Sequence, residues 1–299
     1  MRVFVTGASG WIGSAATTEL LARGHEVVGL ARSDAAAARI AELGAEVRRG
    51  SIDDPAGLRD GAAAADAVVH LAYNHDFSRM ADAARTDSQA IEAFGEVLAG
   101  TDRPLLIASG VAGLASGTVA TEDDRPAHDG HPRLVNAAAA LALAERGVRS
   151  CVVRFAPTVH GAGDYGFVPV LVATARAKGV SAYVGDGTNV WPAVHRSDAG
   201  RLVALATESA PAGSIVHAVA EQGIATRAIA ETIGRGLGVP VTSVPAEEAG
   251  AHFDWMGQFF AADLATSSEL TRARFGWRPT GPGLLADLEQ GHYFAAPPS

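Results

Sequence analysis

The chain has 299 residues, enough for one large α/β domain or for a nucleotide domain with a smaller lobe. Lys and Arg number 24 against 33 Asp and Glu, and the formal charge of −9 excludes a basic footprint for nucleic acid or an anionic membrane. No apolar run approaches the roughly twenty residues of a membrane span, and the single cysteine, Cys151, excludes an internal disulfide. The expectation is a cytoplasmic enzyme with no cleavable leader before its first strand.

In chain order, the apolar run Val3-Phe4-Val5 predicts a strand, Thr6-Gly-Ala-Ser-Gly-Trp-Ile-Gly13 a glycine turn, and residues 14–23 an amphipathic helix. That geometry sets a helix N-terminus, with its free N–H groups, against a pyrophosphate. The first glycine permits the turn, the second lets backbone approach phosphate, and the third lets helix pack on strand. A second strand, 26–30, follows the Arg23-Gly24-His25 turn. An Ala-rich helix at 34–43, a strand at 46–49 and a short helix at 54–59, capped by Asp53 or Asp54, come next. Strands at 67–71, 104–108 and 148–155 then alternate with helices at 82–98 and 134–145. Strand–helix alternation predicts a doubly wound, Rossmann-type parallel sheet.

Beyond Pro157 the pieces shorten, with strands predicted at 181–184, 215–219 and 239–244 and helices at 167–178, 197–208, 226–237 and 283–289. The division expected is a nucleotide-binding domain over 1–156 and a smaller α/β substrate lobe over 157–299, some of whose segments return to the main sheet. Metal chemistry is not indicated: His128 and His131 lack acidic or Cys companions at ligand spacing.

Five segments, in order, resemble the extended or atypical short-chain dehydrogenase/reductase superfamily, in its nucleotide-sugar epimerase and dehydratase-like branch. They are the glycine loop 6–13, Val68-Val-His-Leu-Ala72, Arg154-Phe-Ala-Pro-Thr-Val-His-Gly161, Trp191-Pro-Ala-Val-His195 with Asp198, and Phe275-Gly-Trp-Arg-Pro279. The resemblance implies cofactor contacts from Gly7, Ser9, Gly10, Trp11, Ile12, Gly13, Leu71, Ala72, Arg133, Pro157 and Val159, and an adenine contact from Asp53. Where NAD-specific relatives carry an acid for the ribose 2′-OH, this chain has Ala31 followed by Arg32 and Ser33. A guanidinium and a hydroxyl suit a phosphate, so NADP(H) is expected. Asp34 reads as the N-cap of the next helix.

The superfamily's Tyr, four residues before a Lys, has no counterpart, because the only lysine is Lys178 and no tyrosine precedes it at that spacing. Alignment puts Arg133 at the Lys position and Asp129 at the Tyr position. Arg133 supplies charge but does not shuttle protons, and His128 and His131 flank Asp129 with imidazoles that titrate in the useful range. Ser109, with Gly110 beside it, is the candidate carbonyl-binding hydroxyl. Tyr73, His75, His160, Tyr165 and Trp191 are expected to line the substrate pocket, with Tyr73 an alternative proton donor. The reading that follows is an NADPH-dependent reductase of a small, fairly apolar carbonyl or imine. The alternative is a non-catalytic NADP(H) sensor, and a nucleotide-sugar epimerase or dehydratase ranks third. Relatives pair through the 82–98 and 134–145 helices, so a homodimer is expected.

Overall fold

The fold is given by a computed structural model that describes residues 1–74, 79–114, 117–125 and 132–295. Its first half alternates β1 (Arg2–Thr6), α1 (Trp11–Ala22), β2 (Glu26–Ala31), α2 (Asp34–Glu42), β3 (Glu46–Arg49), α3 (Pro55–Ala63), β4 (Ala67–His70), α4 (Met80–Leu98), β5 (Pro104–Gly110), α5 (Pro132–Ala142) and β6 (Arg149–Phe155). The second half runs β7 (Thr158–His160), α6 (Phe167–Lys178), β8 (Ser181–Val184), β9 (Val190–His195), α7 (Arg196–Ser209), β10 (Ser214–Ala218), β11 (Glu221–Ala225), α8 (Thr226–Leu237) and β12 (Val241–Val244). It ends with the short helices α9 (Ala249–Phe253), α10 (Met256–Ala261), α11 (Glu269–Phe275) and α12 (Leu284–Glu289).

Seven strands form the main sheet in the order β10-β6-β5-β4-β1-β2-β3, every pair parallel. Its central strands are rich in buried apolar residues because helices cover both faces, while the edge strand β3 is Glu-Val-Arg-Arg. Val3, Val5, Leu106 and Val153 pack on the side of α1 and α7, while Phe4, Val68, Leu105 and Val152 pack on the side of α3, α4 and α5. The chain leaves β3 at one edge and re-enters as β4 on the far side of β1. A crevice therefore opens beyond the carboxyl ends of β1 and β4, the place where such sheets hold ligands.

Chain order does not divide the molecule cleanly. α7 packs on α1 and β10 pairs with β6 in the main sheet, so residues 196–218 belong with the nucleotide-binding half. The smaller lobe gathers a separate core around Leu171, Trp191, Ile229, Phe253 and Phe260. It is built on a three-stranded sheet, β11-β9-β7, and a two-stranded one, β12-β8. Strands β7, β9 and β11 have no counterpart in the sequence reading. No helix among the described residues is long and apolar enough to cross a membrane.

Candidate dinucleotide and substrate site

At the crevice, Gly7 takes a left-handed conformation (φ 73°), and a Cβ there would lie 2.7 Å from the Ala72 nitrogen. A Cβ on Gly13 would fall 1.9 Å from the Gly7 carbonyl oxygen. The loop is thus folded onto both the β4 exit and the first turn of α1, at distances no other residue permits. Gly10 caps α1 without a side-chain hydrogen bond, and no acidic residue stands in the first turn. The first-turn N–H groups have no side-chain cap from Gly10, and apart from that of Trp11, which donates to the Tyr165 hydroxyl at 2.9 Å, they are open to an anion and carry the positive end of the helix dipole. These features fit a dinucleotide pyrophosphate: Gly7, Ser9, Gly10, Trp11, Ile12 and Gly13 would hold it, and the group would supply hydride chemistry.

At the end of β2, Ala31 is buried and Arg32 and Ser33 are exposed. The helix cap predicted for Asp34 is instead made by Ser33, whose Oγ accepts from Ala36 N at 3.2 Å. Asp34 begins the helix and pairs with Arg49 at 2.5 Å. A side-chain oxygen at Asp34 would have served equally well, but the extended backbone at Ser33 places the cap one residue earlier. Asp53, exposed beyond β3, accepts from Ser51 Oγ at 2.9 Å and Thr86 Oγ1 at 3.3 Å. Pro157 and Val159 lie beyond β6, and the Val159 carbonyl accepts from Trp11 Nε1 at 2.6 Å.

Leu71, Ala72 and Tyr73 follow β4 into the crevice, and all three are partly buried. Arg133, in the first turn of α5, lays its guanidinium over the Tyr73 ring, 4.1 Å from the centroid. Behind them runs a buried polar chain. Thr6 Oγ1 lies 2.6 Å from His70 Nδ1, His70 Nε2 lies 3.1 Å from Asp87 Oδ1, and Asn136 Nδ2 donates to Asp87 Oδ2 at 2.7 Å and to the Ala84 carbonyl at 2.8 Å. Thr6 Oγ1 also accepts from Ala72 N at 3.3 Å. Burial alone would raise the Asp87 pKa, but the His70 and Asn136 hydrogen bonds and the nearby charges hold it below the usual carboxylate value. Burial lowers the Arg133 pKa, with Asp87 and Tyr73 opposing the shift. The chain links the ends of β1 and β4 to α4 and α5, so it sets the position of Tyr73 against Arg133. Asp87 and Asn136 escaped the sequence reading, since helical Asp and Asn carry no spacing signal, and Thr6 and His70, inside the quoted segments 6–13 and 68–72, were given no role there.

Several expected residues sit elsewhere. Ser109 is 2% exposed, and its hydroxyl has no hydrogen-bond partner among the described residues. At the next position, Gly110, a Cβ would meet nothing within 4 Å among the described residues. Successive strand residues face opposite sides, so Ser109 shares the β5 face of Leu105 and Ile107, which pack toward α4 and α5. Trp191 is fully buried in the second lobe, its Nε1 bonded to the Phe259 carbonyl at 3.0 Å and its ring edge-on to Phe260. It is core and does not line a pocket. His160 is also fully buried, 2.9 Å from Asp287 through Nδ1, and burial lowers its pKa against the pull of that carboxylate. Tyr165 is exposed and bonds the glycine loop, accepting from Trp11 N at 2.9 Å. His75, Asp129 and His131 lie outside the described residues. One contributor was missed: Arg196, opening α7, donates to the Trp11 carbonyl at 2.9 Å and stacks on its indole at 4.3 Å. Cys151 is buried, its thiol pushed up to about 12 by burial, which disfavours the nucleophilic thiolate.

Comparison with known proteins agrees with this architecture. Residues 3–219 match the model of the NAD dependent epimerase/dehydratase family. An uncharacterized protein of Schizosaccharomyces pombe is 48% identical over 295 residues, which is 98% of this chain and 100% of that protein. A 4-hydroxy-2-methyl-3-oxo-4-farnesyl-3,4-dihydroquinoline-1-oxide ketoreductase of Stigmatella aurantiaca is 30% identical over 233 residues, 72% of this chain and 67% of that protein. Among solved structures, a dTDP-glucose 4,6-dehydratase from Streptomyces venezuelae with NAD bound superposes with a TM-score of 0.76 at 23% identity, over 98% of this chain and 96% of that one. With its glycine cradle at the β1/β4 switch point and its match over residues 3–219, the chain belongs to the NAD dependent epimerase/dehydratase family.

Proposed function

We propose that the protein is an NADPH-dependent reductase that delivers hydride to a small, fairly apolar carbonyl or imine. The observation that carries this reading is the wall beyond the cradle. It is formed by Leu71, Ala72, the Tyr73 ring and the open backbone at Gly110, with one guanidinium, Arg133, over the ring. Such a surface suits an apolar acceptor beside a cationic handle. Hydride transfer asks chiefly for positioning of donor against acceptor. The ketoreductase relative supports a reductive direction. Preference for the 2′-phosphorylated cofactor rests on the exposed Arg32 and Ser33 after a buried Ala31. Catalytic charge comes from Arg133, while the roles expected of Asp129 and His131 rest on sequence alone.

The test is oxidation of NADPH and NADH by the purified protein with ethyl acetoacetate, benzaldehyde and 2-methyl-1-pyrroline as acceptors. NADPH consumption with at least one acceptor is expected. Binding of both redox forms in thermal-shift titrations, with no turnover on any acceptor, would identify a sensor instead. We further infer a homodimer through α4 and α5, supported by the exposed Met80, Ala139 and Ala142 on those helices. Light scattering at micromolar concentration should return twice the chain mass.

A further inference from the structure

We propose that Tyr73 is the proton donor of this site and Arg133 its companion cation, so that a Tyr–cation pair is assembled from the β4 exit and α5 rather than along one helix. The proposal rests on the reductase reading above. Tyr73 lies three residues past β4, directly after the Ala72 backbone against which Gly7 is packed, and so enters the crevice beside the dinucleotide cradle. Arg133 stands over the face of its ring at 4.1 Å. Arg133 is itself held in the field of Asp87, whose carboxylate is fixed by His70 on one oxygen and Asn136 on the other. The charge beside the phenol is therefore anchored from β4, α4 and α5 together.

Chemistry separates the two partners. A guanidinium stays protonated at any working pH and gives no proton, whereas a phenol does so readily once negative charge grows on its acceptor. Burial holds the Tyr73 hydroxyl above the ordinary phenol value, with the Arg133 charge pulling the other way. It is accordingly a filled donor at neutral pH, which suits reduction. The reduced dinucleotide supplies the hydride. The carbonyl π bond opens, its carbon gains the new C–H bond, and its oxygen takes the Tyr73 proton to complete the alcohol. The phenolate left behind is stabilised by the guanidinium charge over its ring and recovers a proton from water. At the end of β5, Gly110 carries no side chain and Ser109 is only 2% exposed, its hydroxyl buried. Tyr73 offers its hydroxyl from the segment that follows the neighbouring strand β4.

Two measurements decide the matter. In the free protein, labelled with ¹³C at the tyrosine ring carbon bearing the hydroxyl, the NMR signal assigned through Tyr73→Phe is titrated in wild type, Arg133→Met and Arg133→Lys. The Met variant should titrate at higher pH and the Lys variant close to wild type. In turnover, Tyr73→Phe should reduce ethyl acetoacetate about 100-fold more slowly or worse, as loss of a general acid predicts, while its NADPH Kd stays within about two-fold. Reduction of 2-methyl-1-pyrroline, which arrives protonated, should fall by much less, a selectivity that a structural role would not produce. Undiminished ketone reduction by Tyr73→Phe, or a Tyr73 titration indifferent to Arg133→Met, overturns the proposal alone. Absence of turnover by the wild type overturns the reductase reading, and the donor role with it.

Discussion

The backbone N–H of Trp11 donates to the Tyr165 hydroxyl at 2.9 Å, so the first free amide of α1 is already engaged by a residue 154 positions away in sequence. Tyr165 is 67% exposed and rests edge-on against the Trp11 ring, with centroids 5.8 Å apart. Apart from that contact it faces solvent. An anion docking on α1 competes for the same N–H. Tyr165→Phe frees the amide, and a hydrogen bond of net worth about 0.5–1.5 kcal/mol translates into a roughly 2- to 10-fold tighter Kd for NADPH. Titration of Trp fluorescence would measure it. An unchanged or weaker Kd would mean that the phenol assists the cofactor instead of competing.

Next to that contact, Asp164 is pushed up to about 6, chiefly by burial, although Gly166 N at 2.7 Å and the Tyr293 hydroxyl at 3.1 Å both hydrogen-bond its carboxylate. A carboxyl raised from 3.8 binds its proton more tightly in the folded state than in the unfolded chain. Its contribution to stability is therefore fully present below the unfolded value. It declines as pH rises toward about 6 and is flat above that. At about 1.4 kcal/mol per pH unit, the loss is of order 1–3 kcal/mol. Asp164→Asn removes the titration. Urea unfolding of variant and wild type at pH 4 and pH 7.5, settings chosen to straddle roughly the titration range, should show the variant gaining relative stability at the higher pH. Equal differences at both pH values would refute the assignment.

How much of this was visible beforehand follows from the range of the forces involved. The glycine loop and the alternation over residues 1–155 are local patterns, and the cradle appears where they put it. Ser109 lies near the end of β5 and is 2% exposed, and burial of that kind is set by what packs over the strand end, which a one-residue motif does not record. Strand β9 contains Pro192 and strand β11 opens Glu221-Gln-Gly, so neither carries an apolar alternation. Without those strands, Trp191 and His160 had no lobe core to belong to. Tyr73 and Arg133 are 60 residues apart and meet only because β4 and α5 flank the same crevice. Nothing in the spacing of either residue records that meeting, and the same holds for Asp87 with His70 and Asn136.

Gly13 offers a sharper test of the cradle than either of its companions. A methyl there would sit 1.9 Å from the Gly7 carbonyl oxygen and 2.7 Å from its carbon, both backbone atoms with no rotamer to swing away. Relief requires α1 to withdraw from β1, and overpacking of this kind costs about 1–3 kcal/mol. Gly13→Ala should lower Tm by several degrees and abolish measurable NADPH binding. Gly24→Ala provides the contrast. Its Cβ would meet nothing within 4 Å, so any loss there reflects its left-handed backbone (φ 80°) alone and should leave cofactor affinity unchanged. Loss of binding in both variants would point to general destabilisation rather than to a blocked cradle.

The proposed preference for NADPH rests on Arg32, exposed just past β2 with the buried Ala31 before it. If its guanidinium receives a 2′-phosphate, that contact is charge-assisted, and its loss costs about 1.5–3 kcal/mol, or roughly 10- to 150-fold in Kd. Arg32→Ala should weaken NADPH by that factor and leave NADH within about two-fold. Salt supplies the control. An exposed ion pair is screened over about 10 Å at 0.1 M ionic strength, so added NaCl should weaken NADPH binding by the wild type more than by the variant. Ser33 is committed to capping α2 through its Oγ, so Ser33→Ala should lower helix stability and reduce NADPH preference less than Arg32→Ala does. Isothermal titration of both cofactors against the three proteins separates the outcomes. If Arg32→Ala weakens NADH as much as NADPH, the guanidinium contacts a part common to both, and the preference for the phosphorylated cofactor loses its support.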